Sequence, residues 1–316
     1  MYEEFYGLKE KPFSLTPDPK FLFLSEEHRS ALELLLYSIR RREGFALLTG
    51  EVGTGKTLLC RALVERLDPN TKVALILNPM LSEKELLKAI LQDLGLDYNK
   101  ETKKELIDEL NSFLLKQAAQ GGTTVLIIDE AQNLSFEVLE QIRLLSNLET
   151  DKEKLIQIIL VGQEELKEKL ELPRLRQLNQ RISVRYHLTP LSKDEVRRYI
   201  DHRLMIAGSN GEVVFSKGAI NVIYRCSRGI PRLINLICDR ALLCGYIEQT
   251  YEITGKLARR AAKEIGKEEG YRISSAVVRY ALRYILPILI AVGAAISYLI
   301  AGGRLNLLLR YLKVIG

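Results

Sequence analysis

A chain of 316 residues with 47% hydrophobic side chains is long enough for two compact domains with a proper core. Its 46 basic and 40 acidic residues give a net charge of +6, but from Tyr271 onward there are six basic residues and no acidic ones, which leaves 40 against 40 in residues 1–270. A balanced body argues against a nucleic-acid binder built on clustered cations, and four cysteines (Cys60, Cys226, Cys238, Cys244) without C-x-x-C spacing argue against zinc.

In chain order, "MYEEFYGLKEKPF" opens with acids and has no apolar h-region, so no signal peptide is expected. "SEEHRSALELLLYSIRRREG" reads as a helix, with Ser25 as N-cap and Gly44 as its stop. "FALLT" (45–49), a short apolar run ending in glycine, reads as a buried strand. Further strands are expected at 72–77 ("KVALIL"), 124–128 ("TVLII"), 155–161 ("LIQIILV") and 182–188 ("ISVRYHL"). Helices alternate with them: one capped by Ser82 with Glu85, a charged one over about 102–120, and one opened by Ser135. Apolar strands alternating with helices predict an α/β fold whose parallel sheet is covered on both faces. After Pro190 the pattern changes. Ser192 and Glu195 form another capping box, and helices near 192–206, 216–226, 231–247 and 254–266 follow, with no strand long enough to extend the sheet. The expected organisation is a core with an N-terminal arm (1–190), an all-helical lid (191–266), a basic hinge (267–283), an apolar segment (284–303) and a short tail (304–316). All four cysteines fall in helical patterns among apolar neighbours, as buried reduced thiols of a reducing cytoplasm do.

"GEVGTGKT" (50–57) follows the first strand and precedes a helix, which is the context that a P-loop needs. Gly50, Gly53 and Gly55 let the backbone of Glu51, Val52 and Thr54 curl so that N–H groups face phosphate oxygens, with Leu58 closing the loop's far side. Lys56 is placed for the β- and γ-phosphates and the Thr57 hydroxyl for Mg²⁺, so ATP and Mg²⁺ are the expected ligands. "VLIIDE" (125–130) supplies the complementary acids at a strand end, Asp129 for the metal and Glu130 to polarise water. "DEAQ" (129–132) also occurs in helicases with two RecA-like domains, for which this chain has no room. Gln163, at the end of the fourth strand, reads either as a sensor of the γ-phosphate or as an ordinary turn glutamine. Arg174, Arg176 and Arg181 precede the fifth strand, where an arginine can reach the nucleotide of a neighbouring subunit; Arg181 is the first choice, and a solvated basic face is the alternative. Arg232, in the first turn after Pro231, is placed to fold back over the phosphates.

Together these features resemble an AAA+ ATPase, a P-loop core with a small helical lid. The run "FYGLKEKPFSLTPDPKFLFLSEEHRSALELL" with "GFALLTGEVGTGKTLLCRAL", "LIIDEAQNL", "RLRQLNQRI" and "GIPRLIN" looks more specifically like the ExeA-type family, general secretion pathway protein A, over roughly residues 2–265. The resemblance implies a cytoplasmic ATPase tied to the inner membrane that assists an envelope-spanning secretion or pilus-like apparatus; relatives serve polysaccharide export, and others help transposases. It also implies that Phe13 and the "TPDP" turn (16–19) border the adenine. Members that act in secretin assembly carry a peptidoglycan-binding domain beyond their membrane span, whereas only thirteen residues follow here.

Between Ile285 and Gly303 no residue is charged. Nineteen residues at about 1.5 Å rise make a helix of roughly 28 Å, enough for a ~30 Å hydrocarbon core. A C-terminal transmembrane helix bracketed by Arg283 and Arg304 is therefore expected, inserted as a tail anchor. A buried core helix is the alternative. The expected protein is a homo-oligomeric, single-pass inner-membrane ATPase acting on a membrane-associated partner, with nucleic acid disfavoured. Its rivals are a DNA-handling ATPase and an ATP-dependent scaffold with little turnover.

Overall fold

The computed structural model describes residues 1–77, 79–150 and 153–268. Its five expected strands all form: β1 (Phe45–Gly50), β2 (Thr71–Ile76), β3 (Thr123–Ile128), β4 (Ile156–Gly162) and β5 (Ile182–Leu188). They make one parallel sheet in the order β2-β3-β4-β1-β5. Register decides what the sheet can present. Thr49 of β1 pairs with Gly162 of β4, and Ile128 of β3 pairs with Leu160, so the carboxyl ends of β1, β3 and β4 open on one edge. Ligands of open parallel sheets bind outside such ends.

The central strands β1, β3 and β4 are buried along almost their whole length because both faces are covered, whereas the edge strand β5 alternates buried and exposed residues. Leu47, Leu126, Ile128, Ile158 and Leu160 belong to a core shared with α4 (Glu83–Asp93), α5 (Lys103–Ala119), α6 (Phe136–Leu145), α7 (Glu164–Glu171) and α8 (Arg176–Arg181). Leu48, Val125, Ile127 and Val161 face the opposite way, onto Leu32 and Leu35 of α2 (Glu26–Arg40) and Leu59 and Leu63 of α3 (Lys56–Glu65). Each buried aliphatic side chain contributes about 1.5–3 kcal/mol of transfer free energy.

Local signals set the helix starts. Ser82 and Ser192 form capping boxes with Glu85 and Glu195, and Thr102 with Glu105 forms a third, which the sequence reading missed. The stop of α2 differs from expectation. The helix ends at Arg40, Arg42 takes the left-handed turn at φ 55°, and Gly44 instead starts the next segment by donating its N–H to Gln157 Oε1 at 2.8 Å.

Beyond Leu188 come α9 (Lys193–Ile206), α10 (Lys217–Ser227), α11 (Pro231–Ile247) and α12 (Gly255–Glu268). The sequence suggested that this part is all helical, and the structure corrects that. The segments entering α10 and α12 run side by side as a parallel pair, β6 (Val214–Phe215) with β7 (Glu252–Ile253). The pairing satisfies backbone groups that a two-residue apolar pattern does not announce: Val214 N–H donates to Tyr251 O and Ser216 N–H to Ile253 O, each at 3.0 Å.

Sheet and helical segment share one compact unit, Met1–Ala262. The N-terminal arm stitches them. It starts with α1 (Tyr2–Phe5); Tyr6 then donates its hydroxyl to Leu242 O at 3.1 Å, and Lys9 N–H donates to Ala207 O at 2.8 Å. Arg203 Nε donates to Pro12 O at 2.5 Å, and Arg61 of α3 to Pro17 O at 3.3 Å. Among the described residues no helix is long and apolar enough to cross a membrane. The apolar segment at 284–303, the tail and the hinge beyond Glu268 lie outside the described residues.

Candidate functional site

The loop between β1 and α3 has no freedom to use other residues at its glycines. Gly53 and Gly55 adopt φ of +83° and +101°, where a Cβ is strained. At Gly50, a Cβ would stand 2.7 Å from Leu188 O. Gly55 is also the N-cap of α3 and offers no side chain to the first turn, so the helix's leading N–H groups keep their capacity for an anion. Lys56 is 5% exposed and donates from Nζ to Gly50 O at 2.8 Å and Glu51 O at 2.9 Å. Burial pulls its ammonium below the usual lysine range, opposed by the charges of Glu130 and Asp129.

The aligned strand ends deliver the acids. Thr57 donates its hydroxyl to Asp129 Oδ2 at 2.5 Å, and Asp129 is buried. A hydroxyl and a carboxylate held together are hard oxygen donors of the type Mg²⁺ takes. The residue after Asp129 turns sharply: Glu130 sits at φ 51°, ψ 35°, and its N–H donates to Asp129 Oδ1 at 2.8 Å. Left-handed backbone at a non-glycine residue is uncommon and costs about 1–2 kcal/mol. Here it re-aims the Glu130 side chain from the strand direction into the cavity that Lys56 and Thr57 line.

Gln163 is brought to the same place. Its Nε2 donates to Glu130 Oε2 at 3.1 Å. Sequence reading missed the residue that organises this contact. Gln132 donates from Nε2 to Glu130 Oε2 at 2.5 Å and accepts the Gln163 N–H on Oε1 at 3.1 Å. The signal was present in "DEAQ", but only the folded turn shows that the amide bridges two strand ends.

The cavity, of about 220 Å³, is lined by Val52, Gly53, Gly55, Lys56, Thr57, Leu58 and Glu130 from the sheet side and by Pro231 and Arg232 from α11. Arg232 lies against it: its backbone N–H donates to Gly53 O at 3.3 Å, and a Cβ on Gly53 would lie 2.6 Å from Arg232 Cβ. Residues 14–18 of the arm form a further wall. Phe13 does not; it is 1% exposed and packs edge-to-face on Phe215 with centroids 6.0 Å apart. Tyr199, Arg203 and Asn235 also line the cavity and were not foreseen, being spread along α9 and α11 without a motif. Arg181 stands away from it, donating from Nη1 to Ser146 Oγ at 2.7 Å, and Arg174 is exposed and paired with Glu137 at 2.7 Å. Arg176 is exposed.

A further unforeseen residue lies beneath the loop. His28 of α2 is 3% exposed, with Nε2 3.0 Å from Thr54 O and Nδ1 2.6 Å from Ser25 Oγ. Burial lowers its pKa, opposed by the Thr54 carbonyl and the charges of Glu195 and Glu27. The unfolded chain binds the proton more readily, at about pH 6.5. The stability contributed by neutral His28 is therefore complete above that value and is lost as pH falls through the lower folded value. Denaturant midpoints should drop between pH 7 and 5.5, and the drop should flatten in His28→Gln, as followed by circular dichroism.

Residues 39–170 match an AAA domain family (AAA_22). General secretion pathway protein A of Aeromonas hydrophila is 48% identical over 273 residues, 85% of this chain and 50% of that protein, so this chain spans about half its relative's length. Among solved structures, the ADP form of the Aeropyrum pernix ORC2 protein is similar with a TM-score of 0.63 at 18% identity, covering 81% of this chain and 73% of that one. Cdc6p of Pyrobaculum aerophilum follows with a TM-score of 0.61 at 20% identity, covering 80% and 70%. At such identities the likeness concerns the fold alone, whereas the AAA domain match and the 48% identity to the Aeromonas relative carry the family: the chain belongs to the AAA+ family, with an AAA+ domain of the general secretion pathway protein A type.

Proposed function

We propose that this protein is a membrane-anchored AAA+ ATPase that hydrolyses ATP to drive assembly or operation of an envelope-associated secretion, pilus or polysaccharide-export machine. The observation that carries the ATPase reading is the convergence of Lys56, Thr57, Glu130 and Arg232 on one cavity, with Asp129 bonded to Thr57 behind it. In this reading the backbone from Gly50 to Leu58 and the Lys56 ammonium bind phosphate. Thr57 and Asp129 hold Mg²⁺, which screens phosphate charge when bound. Glu130 takes the proton of the attacking water, and Gln163 and Gln132 fix the direction of its carboxylate. Arg232 reports nucleotide state to the helical segment in cis. Arg181 serves a neighbouring copy in trans, for which its bond to Ser146 must open.

The kinship with the Aeromonas protein supports a secretion role, and the apolar run at 284–303 supports a single inner-membrane span with the ATPase on the cytoplasmic side. Exposing that run to water would cost about 1.5–3 kcal/mol for each large side chain. Deleting residues 271–316 should therefore move the protein from carbonate-resistant membrane pellets to the soluble fraction, with ATP turnover retained. A full-length protein that stays soluble without detergent would remove the membrane half of the reading, and absent turnover in both forms would remove the ATPase half.

A further inference from the structure

His28 has no place in the chemistry above, yet it is a buried titratable side chain whose ring spans the start of α2 and the P-loop. The proton position follows from its partners. Thr54 O can only accept, so Nε2 carries the hydrogen; Nδ1 is then the acceptor, and the Ser25 hydroxyl donates to it. Ser25 Oγ in turn accepts the backbone N–H of His28 at 3.2 Å, as N-cap of α2. The ring is thus fixed at both nitrogens by the helix cap on one side and the loop on the other.

What this fixes in the loop follows from peptide planarity. In a trans peptide the carbonyl and the next N–H lie in one plane and point in opposite directions. The Thr54 carbonyl points to His28 on the α2 side, so the Gly55 N–H points the other way, to the side of the cavity that Gly53, Gly55 and Lys56 line. Thr54 is otherwise held from one end only: its N–H and its Oγ1 hydroxyl both donate to Glu51 O, at 3.3 and 2.9 Å. Nothing else among the described hydrogen bonds sets the plane of the Thr54–Gly55 peptide, and a glycine at φ +101° leaves that plane free to rotate. The fit is close, since a Cβ on Gly55 would stand 3.1 Å from His28 Nε2.

We propose that His28 is a positioning residue for nucleotide binding, which holds the Thr54–Gly55 peptide so that the Gly55 N–H is aimed at a phosphate oxygen. The proposal rests on the nucleotide-binding reading of the loop. His28 does not touch the nucleotide; it acts through one peptide group. Its loss therefore weakens ground-state binding and leaves Glu130, the proposed base, and the Gln163 amide that orients it where they are.

Three substitutions in the full-length protein separate aiming from mere filling. His28→Gln places an amide N–H near the Nε2 position and can still donate to Thr54 O. His28→Asn is as polar, but its amide reaches only the Nδ1 position beside Ser25. His28→Leu fills the space and donates nothing. ADP affinity by fluorescence titration and KM and kcat for ATP are measured alongside melting temperature. Gln should bind ADP within about threefold of wild type, whereas Asn and Leu should lose about tenfold, the equivalent of one unsatisfied buried carbonyl. KM should rise in step while kcat at saturation changes less than twofold. Equal ADP affinity in Gln and Asn, or affinities that simply follow the melting temperatures, would overturn the proposal. A leucine variant too unstable to purify leaves the Gln and Asn comparison to decide. Wild-type protein that binds neither ADP nor ATP would instead overturn the nucleotide reading itself.

Discussion

Lys56→Ala should lose most of its affinity for ATP, whereas Glu130→Gln should keep ATP bound and stop its turnover. The two residues line one cavity but face different events. Lys56 is 5% exposed, and its Nζ is held on Gly50 O and Glu51 O, where it supplies positive charge before any bond changes. Hydrogen bonds to a charged group are worth about 1.5–3 kcal/mol, so its removal should weaken affinity by on the order of a hundredfold. In the proposed reaction Glu130 matters only once water attacks the phosphate. Its amide isostere keeps the shape and accepts no proton, and loss of a general base lowers rates by roughly 10²–10⁴. Equilibrium binding of ATP and phosphate release measured on both variants test the assignment. Equal loss of ATP affinity in the two would refute it, because a base that acts only in the transition state leaves ground-state binding unchanged.

Gly229→Ala should be the most damaging single methyl that can be added to the helical segment. Gly229 links α10 to α11 at φ +80°, and a Cβ there would stand 2.0 Å from Leu191 O and 3.0 Å from its carbonyl carbon. Backbone cannot yield as a side-chain tip can, particularly as Leu191 N–H donates to Gly229 O at 2.9 Å in the same contact. The substitution therefore has to part the start of α9 from the α10–α11 turn, next to Pro231 and Arg232 at the cavity. A loss on the order of 3 kcal/mol is expected, or roughly 6–12 °C in melting temperature for a unit of this size. Gly121→Ala is the control. It shares the left-handed backbone at φ +71° but has nothing within 4 Å, so only the conformational cost of about 1–2 kcal/mol remains. If the two variants melt together, the close approach at Leu191 has no energetic weight.

How much of this was legible beforehand depends on how local each signal is. β1, β3 and β4 announce themselves as apolar runs because both their faces are buried, β5 by alternating buried and exposed residues, and the capping boxes at Ser82 and Ser192 because a cap is decided within four residues. The P-loop glycines and the acid pair are equally local, since phosphate and metal chemistry dictates residue types at fixed spacing. The β6–β7 pair was hidden because its two strands are separated by α10 and α11 and carry two residues each.

By itself, then, the sequence determined the alternation of the core, the loop that faces phosphate, the carboxylates at a strand end and the confinement of excess positive charge to the last 46 residues. Only the tertiary structure decided which groups meet. The register of β1, β3 and β4 sets Gln163 against Glu130, and the left-handed turn at Glu130 lets Gln132 bridge the two. The packing of α2 under the loop puts His28 on Thr54 O, and that of α11 over it puts Arg232 on Gly53. The His28 and Arg232 contacts join residues far apart in the chain through backbone atoms, and the Gln163 contact depends on strand register; both depend on how whole elements pack and leave no trace in residue type.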